Sequence, residues 1–155
     1  MTNQFPAGVW PVMLTPFTEE NQVDDAALKN LVDWYIERGV DGLFAVCQSS
    51  EMFFLSLEER VHITESVVRY AAGRVPVISS GQVSDTLEDQ IQEVTAIAAA
   101  GPAAVILSTN RFAAEDEDDE VWFANLSKLL DALDPSIPLG FYECPYPYKR
   151  VLSPE

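Results

Sequence analysis

The sequence predicts an α/β fold in which strands and helices alternate strictly along the chain. Four stretches with apolar residues at helical spacing separate five short apolar runs. One run and one helical stretch together occupy about 30 residues, which is typical of βαβ units. The runs are apolar throughout, as strands of a parallel sheet covered on both faces are. They begin at Val9, Gly42, Val75, Ala103 and Pro138.

The first unit is predicted to contain a strand over Val9–Leu14 and a helix that Asp24 caps. Gly39 follows that helix, at a position where a glycine commonly ends one. We expect the helix to bury Leu28, Leu31, Val32, Tyr35 and Ile36.

The second unit begins with a strand over Gly42–Val46. Ser56 and Glu59 fit an S-x-x-E capping box at the start of its helix, and Gly73 follows the helix. The expected buried face consists of Ile63, Val67, Tyr70 and Ala71.

In the third unit a strand over Val75–Ser79 precedes a helix that Ser84 or Asp85 caps and Gly101 ends. The expected buried face of this helix consists of Leu87, Ile91, Val94 and Ala98.

The fourth unit is predicted to contain a strand over Ala103–Leu107 and a helix that starts in the acidic run Glu115–Glu120. Negative charge there complements the helix dipole, and Asp134-Pro135 ends the helix. Its expected buried face consists of Trp122, Leu126, Leu129, Leu130 and Leu133. A fifth strand follows over Pro138–Tyr142, and Ser153–Glu155 has the pattern of a further helix start.

Two architectures share this alternation: an open doubly wound sheet and a (β/α)8 barrel, which normally takes about 250 residues. No G-x-G-x-x-G motif follows the first predicted strand, and the chain contains no Walker loop. Nucleotide binding is therefore disfavoured. The periodicity alone leaves both architectures open.

Composition narrows the function classes for what we expect to be one domain over residues 1–155. Nine basic against twenty-five acidic residues give a net charge of −16, which argues against nucleic-acid binding. The sequence has no apolar run that would span a membrane and no secretory signal at its start.

Two cysteines, Cys47 and Cys144, form no disulfide framework, so we expect a cytoplasmic protein. No histidine lies near them at ligand spacing, and His62 falls inside a predicted helix; we expect no metal or cofactor.

The carboxyl ends of parallel strands gather at one opening, so the polar residues after each run are candidates for chemistry. These are Thr15, Cys47–Glu51, Ser79–Gln82, Ser108–Phe112 and Tyr142–Pro145. Hydroxyls and backbone N–H groups in the loop after the second run suit a carboxylate, although ordinary turn chemistry would select similar residues. Tyr142 could relay a proton if its neighbours lower its pKa; alternatively it is a core tyrosine with its hydroxyl at the rim.

Four features at these positions resemble the dihydrodipicolinate synthase/N-acetylneuraminate lyase family. They are TPF after the first strand, a loop ending in Glu51 after the second, LSLEER at the second helix, and Y-x-x-P after the fifth strand. The resemblance implies a (β/α)8 barrel of which this chain holds about the first five strands and four helices. It also implies a class I aldolase that acts on pyruvate or a related 2-keto acid through a lysine Schiff base, in a homo-oligomer that is often a tetramer.

In the family the loop after the second strand typically reads Gly-Thr-Thr-Gly-Glu and binds the carboxylate of the keto acid. Here the aligned stretch is Cys47-Gln48-Ser49-Ser50-Glu51. The resemblance makes Gln48 and Ser49, together with Thr15, the expected substrate-binding residues. Both glycines are replaced, and Cys47 and Ser50 tolerate a positive φ poorly, so we expect a different loop path.

Tyr142 and Pro145 match the Y-x-x-P motif, whose tyrosine relays protons during Schiff-base formation. A second relay tyrosine of the synthases corresponds to Phe112, which cannot pass a proton. The arginine that synthases carry beyond the motif is replaced by Pro147, with Arg150 displaced from it. Dihydrodipicolinate synthesis itself is therefore not expected.

The family's Schiff-base lysine lies on the sixth strand, about one βα unit beyond the tyrosine. The three lysines of this chain are Lys29 and Lys128, on predicted helices, and Lys149, in the loop after the fifth strand. None has the position of a desolvated nucleophile, so the chain by itself is expected to be inactive. The alternative is a non-catalytic half-barrel that binds a 2-keto acid or serves assembly.

Overall fold

The computed structural model describes residues 5–152 as four parallel strands connected by helices. The strands are β1 (Leu43–Phe44), β2 (Val77–Ser80), β3 (Ala104–Ser108) and β4 (Leu139–Tyr142), paired in the order β1-β2-β3-β4. The helices are α1 (Asp25–Glu37), α2 (Leu57–Ala71), α3 (Leu87–Ala99) and α4 (Asp119–Ala132). Within the described part of the chain, no helix has the length and apolar character needed to cross a membrane. The predicted helix start at Ser153–Glu155 lies outside the described residues.

The first predicted strand, Val9–Leu14, is not a regular strand, and that prediction was wrong. The segment runs beside β1 with one parallel bridge, Val12 to Phe44. Phe44 N donates to Pro11 O at 3.1 Å, and Met13 N donates to Phe44 O at 2.9 Å. Pro11 has no N–H to extend the ladder, which explains why pairing stays local. Three side chains of the segment are exposed: Val9, Val12 and Leu14.

Local capping patterns in the sequence placed three of the four helix starts correctly. The Asp24 carboxylate accepts a hydrogen bond from Ala27 N at 2.9 Å, and Ser56 and Glu59 form the predicted capping box. Asp118, inside the acidic run, caps α4.

The cap of α3 was predicted wrongly. Thr86 caps this helix, and its hydroxyl accepts a hydrogen bond from Asp89 N at 3.2 Å. Ser84 and Asp85 are engaged elsewhere, since the Ser84 hydroxyl donates to Glu93 and the Asp85 carboxylate pairs with Arg111.

The sheet has two different faces. One face packs against the helices and carries the main core, in which Leu43, Val77, Val105 and Leu107 are buried. The opposite face, called the inner face below, carries a smaller cluster of Phe44, Ile78, Ala104, Ile106 and Tyr142.

Two residues of the expected buried helix faces, and one apolar residue of β4, are exposed. Leu87 and Leu130 lie in the first turn of α3 and near the end of α4, and 38% and 43% of their surfaces are exposed. Phe141 is 47% exposed because β4 has a paired neighbour on only one side among the described residues.

A buried ion pair connects two helices with the loop that follows β2. Arg60 of α2 and Glu93 of α3 are 3% and 4% exposed, and Arg60 Nη2 lies 2.7 Å from Glu93 Oε1. The Glu93 carboxylate also accepts hydrogen bonds from the backbone N–H groups of Val83 (2.9 Å) and Ser84 (3.1 Å). Arg60 Nη1 donates to Gly81 O at 3.3 Å. The sequence pattern gave no sign of this pair.

We predict that Arg60→Met lowers the free energy of unfolding by about 3–5 kcal/mol, because it leaves Glu93 as an uncompensated buried charge. Arg74→Met is the matched control. Arg74 is 42% exposed at its side chain and pairs with Asp33, so its loss should cost below about 1 kcal/mol. Urea unfolding of both variants measures the difference, and equal midpoints for the two would contradict the role given to the pair.

Candidate functional site

The structure brings the loops at the carboxyl ends of the strands together in a connected ring. Gln82 bonds the backbone of Ser108 through its side-chain amide, with contacts of 3.4 Å to both N and O. Asn110 donates to Cys144 O at 2.9 Å. The Cys144 thiol lies 3.6 Å from Gln48 Oε1, which closes the ring back to the loop after β1.

The loop after β1 is shaped by the hydroxyl of Ser50, a buried residue. Ser50 Oγ lies 2.6 Å from Met13 O and 2.7 Å from Ala45 O, and it accepts a hydrogen bond from Cys47 N at 3.1 Å. Residues 48–50 form one turn of 3-10 helix. Cys47 is extended, with φ −148°, and the left-handed residue is Glu51, with φ 65°. The loop therefore needs no positive φ at Cys47 or Ser50.

The three predicted carboxylate ligands have different surroundings. Ser49 is exposed, and Gln48 is half-buried with its Oε1 facing Cys144. Thr15 is buried, and its hydroxyl donates to Ser50 O at 2.8 Å. The Thr15 proton is thus already used within the loop. Among the side chains of these three residues, the Ser49 hydroxyl and the Gln48 amide nitrogen remain as donors for a ligand.

Tyr142 ends β4 on the inner face, where its ring packs edge-to-face on Phe44 with centroids 5.6 Å apart. Burial raises the pKa of the Tyr142 phenol above its ordinary value of 10.0, and the nearby Cys144 and Cys47 raise it further. The proton-relay hypothesis needed neighbours that lower this pKa, and the surroundings shift it in the opposite direction. At neutral pH the phenol therefore holds its proton and can act as a donor.

Two serines within the predicted strand-end stretches, Ser80 and Ser108, lie on the inner face that also carries Tyr142. Ser80 and Ser108 are the last residues of β2 and β3, both are buried, and neither Oγ has a hydrogen-bond partner among residues 5–152. Ser108 is in register with Tyr142, so the two side chains share the inner face. In the sequence, the signal for such a residue is a serine at the end of an apolar strand run. These hydroxyls can bind a polar ligand on the inner face.

The other titratable candidates do not form a second chemical centre. Burial raises the pKa of the Cys144 thiol above its ordinary 9.0, so it is not a thiolate at neutral pH. His62 lies on α2 and contacts Asp25 at 3.1 Å. Residues 5–152 contain no group of three or more His, Cys, Asp or Glu side chains suited to a metal ion.

The three lysines lie on the surface. Lys29 pairs with Asp33 at 2.7 Å, Lys149 lies 3.5 Å from Glu143, and both side chains are more than half exposed. Lys128 is exposed as well. Phe112, the residue aligned with a relay tyrosine, is buried against Trp122, with ring centroids 5.5 Å apart.

We predict that Ser50→Ala lowers the free energy of unfolding by about 1–3 kcal/mol, because it leaves buried carbonyl and N–H groups without their partner. Ser49→Ala, one residue away and exposed, should change it by less than about 0.5 kcal/mol. Chemical unfolding of the two variants measures this contrast. A Ser49→Ala effect as large as that of Ser50→Ala would contradict the assignment.

Folding stability should decrease at alkaline pH. Burial raises the folded-state pKa values of Cys144, Tyr142 and Tyr35 above their unfolded values, so the folded chain keeps these protons to a higher pH than the unfolded chain does. Their contribution is complete below the unfolded pKa values and is lost as pH rises through the folded ones. Urea unfolding between pH 7 and 11 should show a falling midpoint above about pH 9, with a smaller fall in Tyr142→Phe. An unchanged midpoint up to pH 11 would disprove the argument.

Comparison with known proteins identifies this architecture. A family model described as the dihydrodipicolinate synthetase family matches residues 5–113. The 4-hydroxy-tetrahydrodipicolinate synthase of Parvibaculum lavamentivorans is 33% identical over 138 residues, which is 89% of this chain and 45% of that protein. The corresponding enzyme of Roseobacter denitrificans is 33% identical over 148 residues, 96% of this chain and 49% of that protein. The chain spans about half the length of these relatives.

Comparison with solved structures shows the same fold. The chloride-inhibited dihydrodipicolinate synthase from Acinetobacter baumannii, in complex with pyruvate, superposes with a TM-score of 0.78 at 27% identity and covers 89% of this chain and 46% of its own. The N-acetylneuraminate lyase from Mycoplasma synoviae gives 0.75 at 24% identity, with 94% and 49% covered, a likeness of fold. The predicted barrel fold is confirmed, and this chain corresponds to about half of it. On the match over residues 5–113, the chain belongs to the dihydrodipicolinate synthetase family.

Proposed function

We propose that the intact protein is a lyase of the aldolase type that acts on pyruvate or a related 2-keto acid through a lysine Schiff base. The observation that carries the proposal is the contact between two strand-end loops, in which the Cys144 thiol, two residues after Tyr142 at the end of β4, lies 3.6 Å from Gln48 Oε1. A family member of similar fold has been solved with pyruvate bound.

In this proposal the Ser49 hydroxyl and the Gln48 amide bind the keto-acid carboxylate at the turn of residues 48–50. Thr15 supports the same site, because its hydrogen bond to Ser50 O holds that turn. A carboxylate suits such a turn, since backbone N–H groups and neutral donors stabilise it without a buried counter-ion.

Tyr142 would transfer a proton to the keto oxygen. A phenol with a raised pKa can donate to the carbonyl oxygen as that oxygen leaves as water. A cationic lysine imine close by would lower the phenol pKa and so stabilise the phenolate that this donation leaves behind. The relay therefore depends on a charge that the described residues do not contribute.

The Schiff-base lysine would not be one of the three lysines in this chain. An amine nucleophile needs a desolvated pocket to be neutral near pH 7, and Lys29, Lys128 and Lys149 are all exposed. We therefore propose that the 155-residue chain alone forms no imine. Dihydrodipicolinate synthesis is not the proposed reaction, because Phe112 is a buried phenyl group and Pro147 stands at the position of the synthase arginine.

Homo-oligomerisation and a cytoplasmic location are further parts of the proposal. Phe54, beside the loop after β1, is 87% exposed, which suits a contact between subunits. Two buried free thiols, Cys47 and Cys144, are consistent with a reducing compartment.

A second candidate function is a module that binds a keto acid without turning it over. The exposed lysines and the raised pKa of Tyr142 favour it, since binding at Gln48 and Ser49 would need neither group.

The decisive experiment treats the 155-residue chain, and the protein purified from its native source, with pyruvate and borohydride and measures intact mass. We expect no adduct on the chain of 17.2 kDa and a reduced pyruvate adduct on the native enzyme. In the native enzyme, Tyr142→Phe should slow imine formation by about 10²–10⁴-fold. Tyr146→Phe, which alters an exposed tyrosine of the same loop region, is the control.

An adduct on the 17.2 kDa chain would overturn the exclusion of its three lysines. A native protein that binds pyruvate and gives no adduct would overturn the enzyme proposal in favour of the binding module.

A further inference from the structure

The Cys144 side chain connects the segment after β4 with the loop after β1. Its Sγ lies 3.6 Å from Gln48 Oε1, and the two residues are 96 positions apart in the sequence. Cys144 is fully buried, so its thiol is not an accessible nucleophile. The thiol can still act on Gln48 through a hydrogen bond.

Backbone hydrogen bonds hold Cys144 in place on both sides. Its N–H donates to Tyr142 O at 2.8 Å, and its carbonyl oxygen accepts a hydrogen bond from Asn110 Nδ2 at 2.9 Å. Because both backbone groups are bound, the thiol is held at a fixed place beside Gln48.

The thiol has one proton and two neighbouring oxygen atoms. Tyr146 O lies 3.4 Å from Cys144 Sγ, and it already accepts a hydrogen bond from Asn110 Nδ2 at 2.8 Å. Gln48 Oε1 has no other hydrogen-bond partner among residues 5–152. The proton therefore stabilises the structure most on Gln48 Oε1, the oxygen that would otherwise lack a donor. Burial raises the pKa of the Cys144 thiol above its ordinary 9.0, so the sulfur keeps this proton at neutral pH.

A donor at Gln48 Oε1 decides which end of the amide is free. A glutamine amide has an acceptor oxygen and a donor nitrogen, so binding the oxygen to Cys144 turns the nitrogen away from it. Gln48 is half-buried, and its Nε2 makes no hydrogen bond within the described part of the chain and is not one of the fully buried unpartnered atoms there. Nε2 is therefore open to solvent and can donate to a carboxylate. The reversed amide would present its oxygen, which repels a carboxylate.

We propose that Cys144 is a positioning residue, whose thiol orients the Gln48 amide for binding of a keto-acid carboxylate. The inference rests on the proposed function, and it gives a role to a side chain that the Y-x-x-P pattern leaves unspecified. Cys144 acts on the substrate only through Gln48.

Two substitutions at Cys144 separate positioning from packing. Cys144→Val keeps an apolar side chain of similar size and removes the donor, whereas Cys144→Ser keeps a donor and is less apolar. In a pyruvate titration of the full 155-residue chain followed by NMR, Cys144→Val should bind about threefold to tenfold more weakly, because the hydrogen bond that orients the amide is lost. Cys144→Ser should bind within about twofold of the unchanged chain. A packing role alone predicts the opposite order, and that order would overturn the proposal.

The S–H stretching band in the infrared tests the contact without any ligand. A hydrogen bond from a thiol shifts this band to lower wavenumber, and the difference spectrum between the unchanged chain and Cys144→Val assigns the band of Cys144. Gln48→Met removes the acceptor and keeps a side chain of similar length, so it should shift the Cys144 band to higher wavenumber. An unchanged band in Gln48→Met would place the proton on Tyr146 O and would overturn the proposal.

The outcomes distinguish this proposal from the proposed function. If the unchanged chain binds no pyruvate, the carboxylate site of the proposed function is overturned together with the orienting role. If Cys144→Val binds pyruvate with the affinity of the unchanged chain, the carboxylate site stands and the role of Cys144 alone is overturned.

Discussion

The ion pair and hydrogen bonds of the buried Glu93 carboxylate are the interactions on which the arrangement of this half-barrel most depends. The carboxylate accepts hydrogen bonds from Arg60, from the Ser84 hydroxyl and from two consecutive backbone N–H groups of the loop after β2. Two helices and a strand-end loop are thereby fixed by one buried charge. Because Gln82 sits in that loop and bonds the Ser108 backbone, the position of the next loop follows from the same pair. The ring of loops is thus built from side-chain hydrogen bonds laid over a parallel sheet.

The loop after β1 reaches a compact turn by a different chemical route from the glycine-containing loop that its family resemblance implies. The Ser50 hydroxyl contacts Met13 O and Ala45 O, so a side chain holds this turn. The left-handed conformation falls on Glu51. Neither Cys47 nor Ser50 adopts a positive φ, so this turn does not depend on a glycine at either position.

The sequence predicted what depends on neighbours along the chain and missed what depends on distant ones. The caps at Asp24 and at Ser56 with Glu59 are local patterns, and both were found. Thr86 was missed because Glu93 and Arg111, far along the chain, engage the two residues that looked like caps. Ser49 and Ser50 are the same residue type in adjacent positions, and only the carbonyl groups around Ser50 distinguish the buried one.

Val12 and Leu14 are exposed apolar side chains of the segment beside β1. Through them, the tendency of this acidic chain to self-associate depends on the salt concentration. At low ionic strength a net charge of −16 keeps copies apart beyond the range of contact forces. At about 0.1 M salt the Debye length shortens to about 10 Å, so like-charge repulsion no longer prevents apolar edges from meeting. We therefore expect added salt to favour self-association of this chain in concentrated solution.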